Sequence, residues 1–213
     1  MLQINTDWYN FTPTIEKMTK AERTRQFIIE RTAPIFNQKG FAGTSLNDIT
    51  EATGLTKGSI YGNFENKDEV AIAVFHYNHQ NFQNAFKQEI AKKESYKEKL
   101  MVFSTFYEKY FTALMARGGC PILNTAIEAD DTHSVLKELA NKALEKWKSS
   151  IISLIEKGII AGEFKAKDIQ TEQTALTIIA LIEGSIMITK LSGNMGNMKL
   201  IMNSIKKIID ELT

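Results

Sequence analysis

Cysteine is almost missing from this chain of 213 residues: Cys120 stands alone. No disulfide can close within the chain, and no set of thiolates can hold zinc. Proline is scarce as well. Pro13, Pro34 and Pro121 are all there are, so long stretches carry no helix breaker. Net charge is close to zero, at +1. Phosphate neutralisation supplies much of the affinity of DNA-binding proteins, so the charge sum alone argues for no nucleic-acid partner. Catalytic signatures are missing too: there is no P-loop, no H-E-x-x-H and no G-x-S-x-G. The first residues lack the basic flank and apolar core of a signal peptide. The most apolar stretch, Ala175 to Ile188, is broken by Glu183 and falls short of the ~20 residues that span a bilayer. These absences lead us to expect a cytoplasmic protein with no membrane partner, no metal, no cofactor and no enzymatic activity.

What the chain does have is helical periodicity and, at 43% hydrophobic residues, enough apolar material for a core. A first helix is expected over 20–39, with Ile28, Ile29, Thr32, Ala33, Ile35 and Phe36 on one stripe and a kink at Pro34. Asn66 should cap a long fourth helix reaching about Lys93. A fifth runs from Ser95 or Tyr96 to Arg117. A short one starts at Pro121, and a long one spans Asp131 to about Lys157, capped by Asp131 or Thr132. A loop follows over 158–168. Helices over 170–191 and 197–211 close the chain, with Gly193-Asn194-Met195-Gly196 as the turn between them. Residues 1–17 show no helical period and read as an extension outside the fold.

Between these elements lies the most informative stretch, Thr44 to Phe64. Leu46, Ile49 and Ala52 give one helix a buried face, which Thr44 or Ser45 can cap. Gly54 suits a left-handed stop. Thr56 then caps a second helix anchored by Ile60 and Phe64. The outward side of that helix carries Lys57, Gly58, Ser59, Tyr61 and Asn63, which suit base edges and phosphates better than a core. Two short helices presented this way form a helix-turn-helix whose second member reads DNA.

The run Ile28-Ile29, Ala33, Ile35-Phe36, Gly40-Phe41, Thr44-Ser45-Leu46, Ile49, Gly54 through Tyr61, Phe64 and Lys67 resembles the N-terminal domain of TetR-family transcriptional regulators. Gly118-Gly119-Cys120-Pro121, with Asn124, Ala126 and Glu128, is similar to a stretch found in some branches of that family. The resemblance implies an all-α protein of about nine helices. Residues 18–66 would be the DNA-binding domain and 67–213 a ligand-binding and dimerisation domain. It implies a homodimeric repressor, released from double-stranded operator DNA by a small-molecule effector. Lys57 and Gly58 would meet base edges. Thr44, Ser59, Tyr61, Asn63 and Lys67 would meet phosphates, with Thr56 beside them. Gly62 and Asn63 replace the larger side chains that many members carry there. The last two helices would pair with a second copy through Ile178, Ile182, Ile186, Ile201, Ile205 and Ile208, Gly184 allowing close approach.

Other constellations have plainer explanations. His76 and His79 can be surface residues of a helix rather than ligands. Glu128, Asp130, Asp131 and His133 can be a helix end and the next helix start. Cys120 can be a small buried hydrophobe rather than a reactive thiol. The fifth helix is ambiguous. Its Phe103, Tyr107 and Tyr110, beside Asn124, Glu128 and Trp147, suit either a core or an apolar cavity with polar anchors for the effector. A helical enzyme or small-molecule carrier, with a merely structural helix-turn-helix, is the alternative.

Overall fold

The computed structural model describes residues 18–165 and 169–213. The expected extension over 1–17 lies outside the described residues, as do residues 166–168 of the expected loop. Among the described residues the fold is all α-helical. The helices are α1 (Lys20–Gly43), α2 (Leu46–Thr53), α3 (Lys57–Tyr61), α4 (Lys67–Ala91), α5 (Tyr96–Ala116), α6 (Pro121–Ala129), α7 (Ser134–Ile160), α8 (Thr171–Ser192) and α9 (Met195–Glu211). They form two compact units. One comprises the described residues up to Asn84 together with Ala116–Asn141; the other comprises Ala85–Met115 and the described part of Lys142–Thr213. The first unit therefore holds α1–α3, most of α4, and α6, so compactness does not divide the chain at residue 66.

In the first unit, local chemistry sets each helix start. Thr19 caps α1: its hydroxyl accepts the Glu22 N–H at 3.2 Å and the Glu22 carboxylate accepts the Thr19 N–H at 2.7 Å. Ser45, not Thr44, caps α2 and exchanges the same pair of bonds with Asp48. Gly54 ends α2 in the left-handed region, at φ 69°. Thr56 caps α3, accepting the Ser59 N–H at 3.2 Å. Asn66 caps α4 as expected, accepting the Glu69 N–H at 2.9 Å.

α1 breaks at Gly40, where the expected helix over 20–39 ends, and not at Pro34, where a kink was expected. Pro34 keeps helical dihedrals, and the backbone departs from helix only at Gly40, with φ 74° and ψ −179°. Proline's locked φ is itself helical, and buried Ile28, Ala33 and Phe36 hold this part of α1. The small core they share also contains Ile49, Ile60, Phe64, Val70 and Val74. Arg25 clasps it from outside. Its guanidinium lies 4.0 Å over the Phe64 ring, donates to the Asn63 carbonyl, and pairs with Glu69 at 2.6 Å. The Glu65 N–H first, and Arg25 next, hold the Glu69 carboxyl below its usual range.

In the second unit, the aromatic side chains of α5 pack against one another and against the last turns of α4. Phe86 lies 4.6 Å from Phe103 and 5.1 Å from Phe106, ring centre to ring centre. Lys206–Glu108 at 2.9 Å and Lys97–Asp210 at 2.8 Å tie α5 to α9. α8 lies on α9, burying Ile178, Ile182 and Ile186 with Met198, Met202, Ile205 and Ile209. With 22 residues, α8 is longer than the apolar stretch read from the sequence, and by length and composition alone it could cross a membrane. α7 also differs from expectation: it starts at Ser134 and runs to Ile160. Its cap is His133, whose Nδ1 accepts the Leu136 N–H at 3.2 Å.

Asp48 offers a test of the α2 start. Its carboxyl is lowered from 3.8 to about 2, by Lys39 first and then by the Ser45 N–H and hydroxyl. A depressed carboxyl contributes stability above its unfolded pKa and loses it as pH falls through the folded one. Asp48→Asn should therefore flatten the loss of helical circular dichroism between about pH 4 and pH 2. An acid limb identical to the parent's would mean that the Ser45–Asp48–Lys39 group adds nothing to the folded state.

Candidate nucleic-acid interface

α2 and α3 expose one end of a short helix while their inner faces are fixed. Ile49 and Ile60 are fully buried, and the Thr53 hydroxyl donates to the Ile49 carbonyl at 2.7 Å. On the outer side Lys57, Gly58 and Tyr61 are exposed, Tyr61 by 45%, and Ser59 is half-buried. Thr56 stands beside them as the cap of α3, and it is exposed too. These five residues are neighbours on the outer side of α3, four of them exposed and Ser59 half-buried. A cation, a phenol, a hydroxyl and a glycine that lets backbone approach are suited to the edge of a duplex.

The other three expected DNA residues do not join this group. Thr44 is fully buried and its hydroxyl donates to the Gly40 carbonyl at 2.6 Å. Its side chain faces the core because Ser45, not Thr44, took the capping position. Asn63 turns back on α3, its amide donating to the Ser59 carbonyl at 2.9 Å. The Lys67 ammonium donates to the carbonyls of Phe41 at 2.8 Å and Thr44 at 3.1 Å, and lies 4.2 Å over the Phe41 ring. All three hold the backbone of the helix-turn-helix head, α1–α3, itself.

The residues expected around an effector divide between the units. Asn124 and Glu128 on α6 belong to the first. The Asn124 amide donates to the carbonyls of Asn37 at 2.9 Å and Gly118 at 2.8 Å. The Glu128 carboxylate accepts the N–H groups of Phe41 and Ala42, each at 2.7 Å. Phe103, Tyr107, Tyr110 and Trp147 belong to the second unit. Phe103 and Tyr107 are buried, and the Tyr110 hydroxyl donates to Glu89 at 2.8 Å. Lys92, followed by this hydroxyl and Lys109, holds the Glu89 carboxyl below its usual range. Cys120 is buried at the start of α6. No group of three or more histidine, cysteine or carboxylate side chains able to hold a metal occurs among the described residues.

The expected pairing face needs correction. Ile178, Ile182 and Ile205 are 0% exposed in the single chain and Ile186 is 2% exposed, while Ile201 and Ile208 are half-buried. The first four fill the seam between α8 and α9. The stripe left open on α8 is Leu176, Ala180, Met187 and Leu191, all exposed, with half-buried Gly184 in its middle; the five are spaced four, four, three and four apart. Leu191 is 82% exposed, and Leu200 on α9 is 70% exposed.

Comparison with known proteins agrees with this architecture. Residues 28–74 match the family described as bacterial regulatory proteins, tetR family, and residues 97–205 match the tetracyclin repressor-like C-terminal domain. A TetR-family transcriptional regulator from Cytophaga hutchinsonii has a crystal structure 47% identical in sequence. The likeness covers 92% of this chain and 98% of that one, with a TM-score of 0.88. A TetR transcriptional regulator from Chloroflexus aurantiacus is 33% identical, covering 91% and 98% of the two chains, with a TM-score of 0.86. The HTH-type transcriptional repressor DhaR of a Mycobacterium species is 25% identical over 80% of this chain and 84% of its own. With its exposed α3 and both halves matched, the chain belongs to the TetR family and is a helix-turn-helix transcriptional regulator.

Proposed function

We propose that two copies of the chain act as a repressor on a near-palindromic operator, and that a small-molecule effector bound in the helical body releases it. The observation that carries this is the exposed group on α3, Thr56 to Tyr61, standing on a fully packed support. Lys57 and Gly58 meet base edges; Ser59 and Tyr61 meet phosphates. Residues 18–66 carry the reading of DNA, and 67–213 carry pairing and effector binding. Such a protein works where its operator is, in the cytoplasm.

The second copy covers the open stripe of α8. Its middle positions, Ala180 and Gly184, are small, and nothing lies within 4 Å of where a Gly184 Cβ would be. Two helices can approach closely there, with Leu176, Met187 and Leu191 packed around the contact. A two-fold pair of heads accounts for a two-fold operator. The effector side is carried by the aromatic residues of α5, Phe103, Tyr107 and Tyr110, with Trp147. A ligand releases DNA only by binding better to a state in which the two α3 helices no longer match the operator's half-sites.

Two experiments test this. Duplexes selected by the chain from a random pool supply the operator. Lys57→Ala should weaken binding to them by about 1–3 kcal/mol and relax the preferred sequence, whereas Tyr61→Phe should weaken all duplexes alike. Parent-like binding by both variants would remove α3 from the interface. For pairing, Leu191→Glu with Leu200→Glu should give a folded monomer in sedimentation, because these charges meet water in the single chain. Ile182→Glu should instead unfold it, by burying an unpaired charge. A stable dimer from the double variant would remove this face.

A further inference from the structure

The motif Gly118-Gly119-Cys120-Pro121…Asn124…Glu128 is absorbed by neither DNA contact nor effector binding. We infer that Glu128 is a positioning residue for DNA recognition: its carboxylate, seated on the Phe41 and Ala42 N–H groups, holds the segment from Gly40 to Ser45, which connects the long part of α1 to α2, in the pose from which α2 and α3 meet the duplex. This rests on the reading that α3 binds DNA.

The geometry is specific. Two successive backbone N–H groups form a small anion site, and both Glu128 oxygens fill it at 2.7 Å. Gly40, just before it, has φ +74°, and a Cβ there would stand 2.2 Å from Glu128 Oε2. The same connection is gripped from its carbonyl side. Phe41 donates its N–H to Glu128, its carbonyl accepts from the Lys67 ammonium, and its ring packs T-shaped with that of His133 at 4.8 Å between centres.

α6 has no freedom to lend this contact loosely. Asn124 donates to the Asn37 carbonyl, and the Asn37 amide donates to the carbonyls of Arg117 at 2.7 Å and Gly119 at 3.0 Å. These bonds join the last turns of α1 to the start of α6 inside one unit. Three residues after Ala42 comes Ser45, the cap of α2. The pose of the connection is thus passed to α2 through a very short piece of backbone. Releasing Glu128 frees that piece without removing any group that touches DNA.

The test uses the full chain and duplex that the parent selects from a random pool. Glu128→Gln keeps the shape, but its amide NH2 faces one of the two N–H groups and repels it. Glu128→Ala removes both bonds. For Glu128→Gln the expected result is roughly ten-fold weaker binding, with the salt dependence of binding unchanged because the phosphate contacts remain the same. Amide exchange should quicken at Phe41 and Ala42 while Ile49 and Ile60 stay protected. Glu128→Ala should follow the same pattern more strongly. Parent-like affinity in Glu128→Gln would overturn the inference and leave the DNA-binding reading standing. Weaker binding accompanied by lost protection at Ile49 and Ile60 would also overturn it, as a general loss of folding. A parent chain that selects no duplex would overturn both.

Discussion

The backbone leaves helix at Gly40, resumes it for the turn Phe41–Gly43, and leaves it again before the Ser45 cap of α2; the first N–H groups of that turn have no helical carbonyl before them and must find partners elsewhere. Leaving such groups unpaired away from water costs roughly 1–3 kcal/mol each. Here charged side chains from distant parts of the chain take them. Glu128, 87 positions after Phe41, accepts N–H groups; Lys67, 26 positions after it, donates to carbonyls. The connection is held between an anion on one side and a cation on the other. The placement of α2, and through it of α3, depends on that pair of grips. It explains why Lys67 serves the head's own backbone and why Glu128 is occupied without any ligand.

Much of the head was legible in the sequence. Glycine at 54 and the hydroxyl at 56 marked the turn, and the Ile49, Ile60 and Phe64 positions marked its buried side. What separated Thr44 from Ser45 was also present: an acid stands three residues after Ser45, as one stands three after Thr19, and that spacing signals a reciprocal cap. Choosing Ser45 would have turned Thr44 inward and removed it from the phosphate contacts. Pro34 does not break α1, because its locked φ is itself helical and the packing of α1 around it offsets the missing N–H.

Two features were not legible, for different reasons. α8 is apolar on more than one side. Ile178, Ile182 and Ile186 form one helical stripe and Leu176, Met187 and Leu191 another, so periodicity alone could not say which faces α9 and which stays open. The choice is made by Met198, Met202 and Ile205 on the partner helix, through packing that no local pattern records. Glu128 is singled out in the sequence as an effector anchor, but its hold on α1 was not legible there, because its partners are backbone N–H groups, which carry no sequence identity. Only Gly40 hinted at it, as a position where a side chain would collide with the carboxylate.

The central claim is that the exposed end of α3, on its fixed support, reads DNA as one of a two-fold pair. A hydroxyl-radical footprint of the full chain on a duplex it has selected tests this most directly. The account predicts two protected patches related by a dyad and centred roughly 34–36 Å apart, or a multiple of that spacing. One asymmetric patch, or protection spread evenly along the duplex, would contradict it.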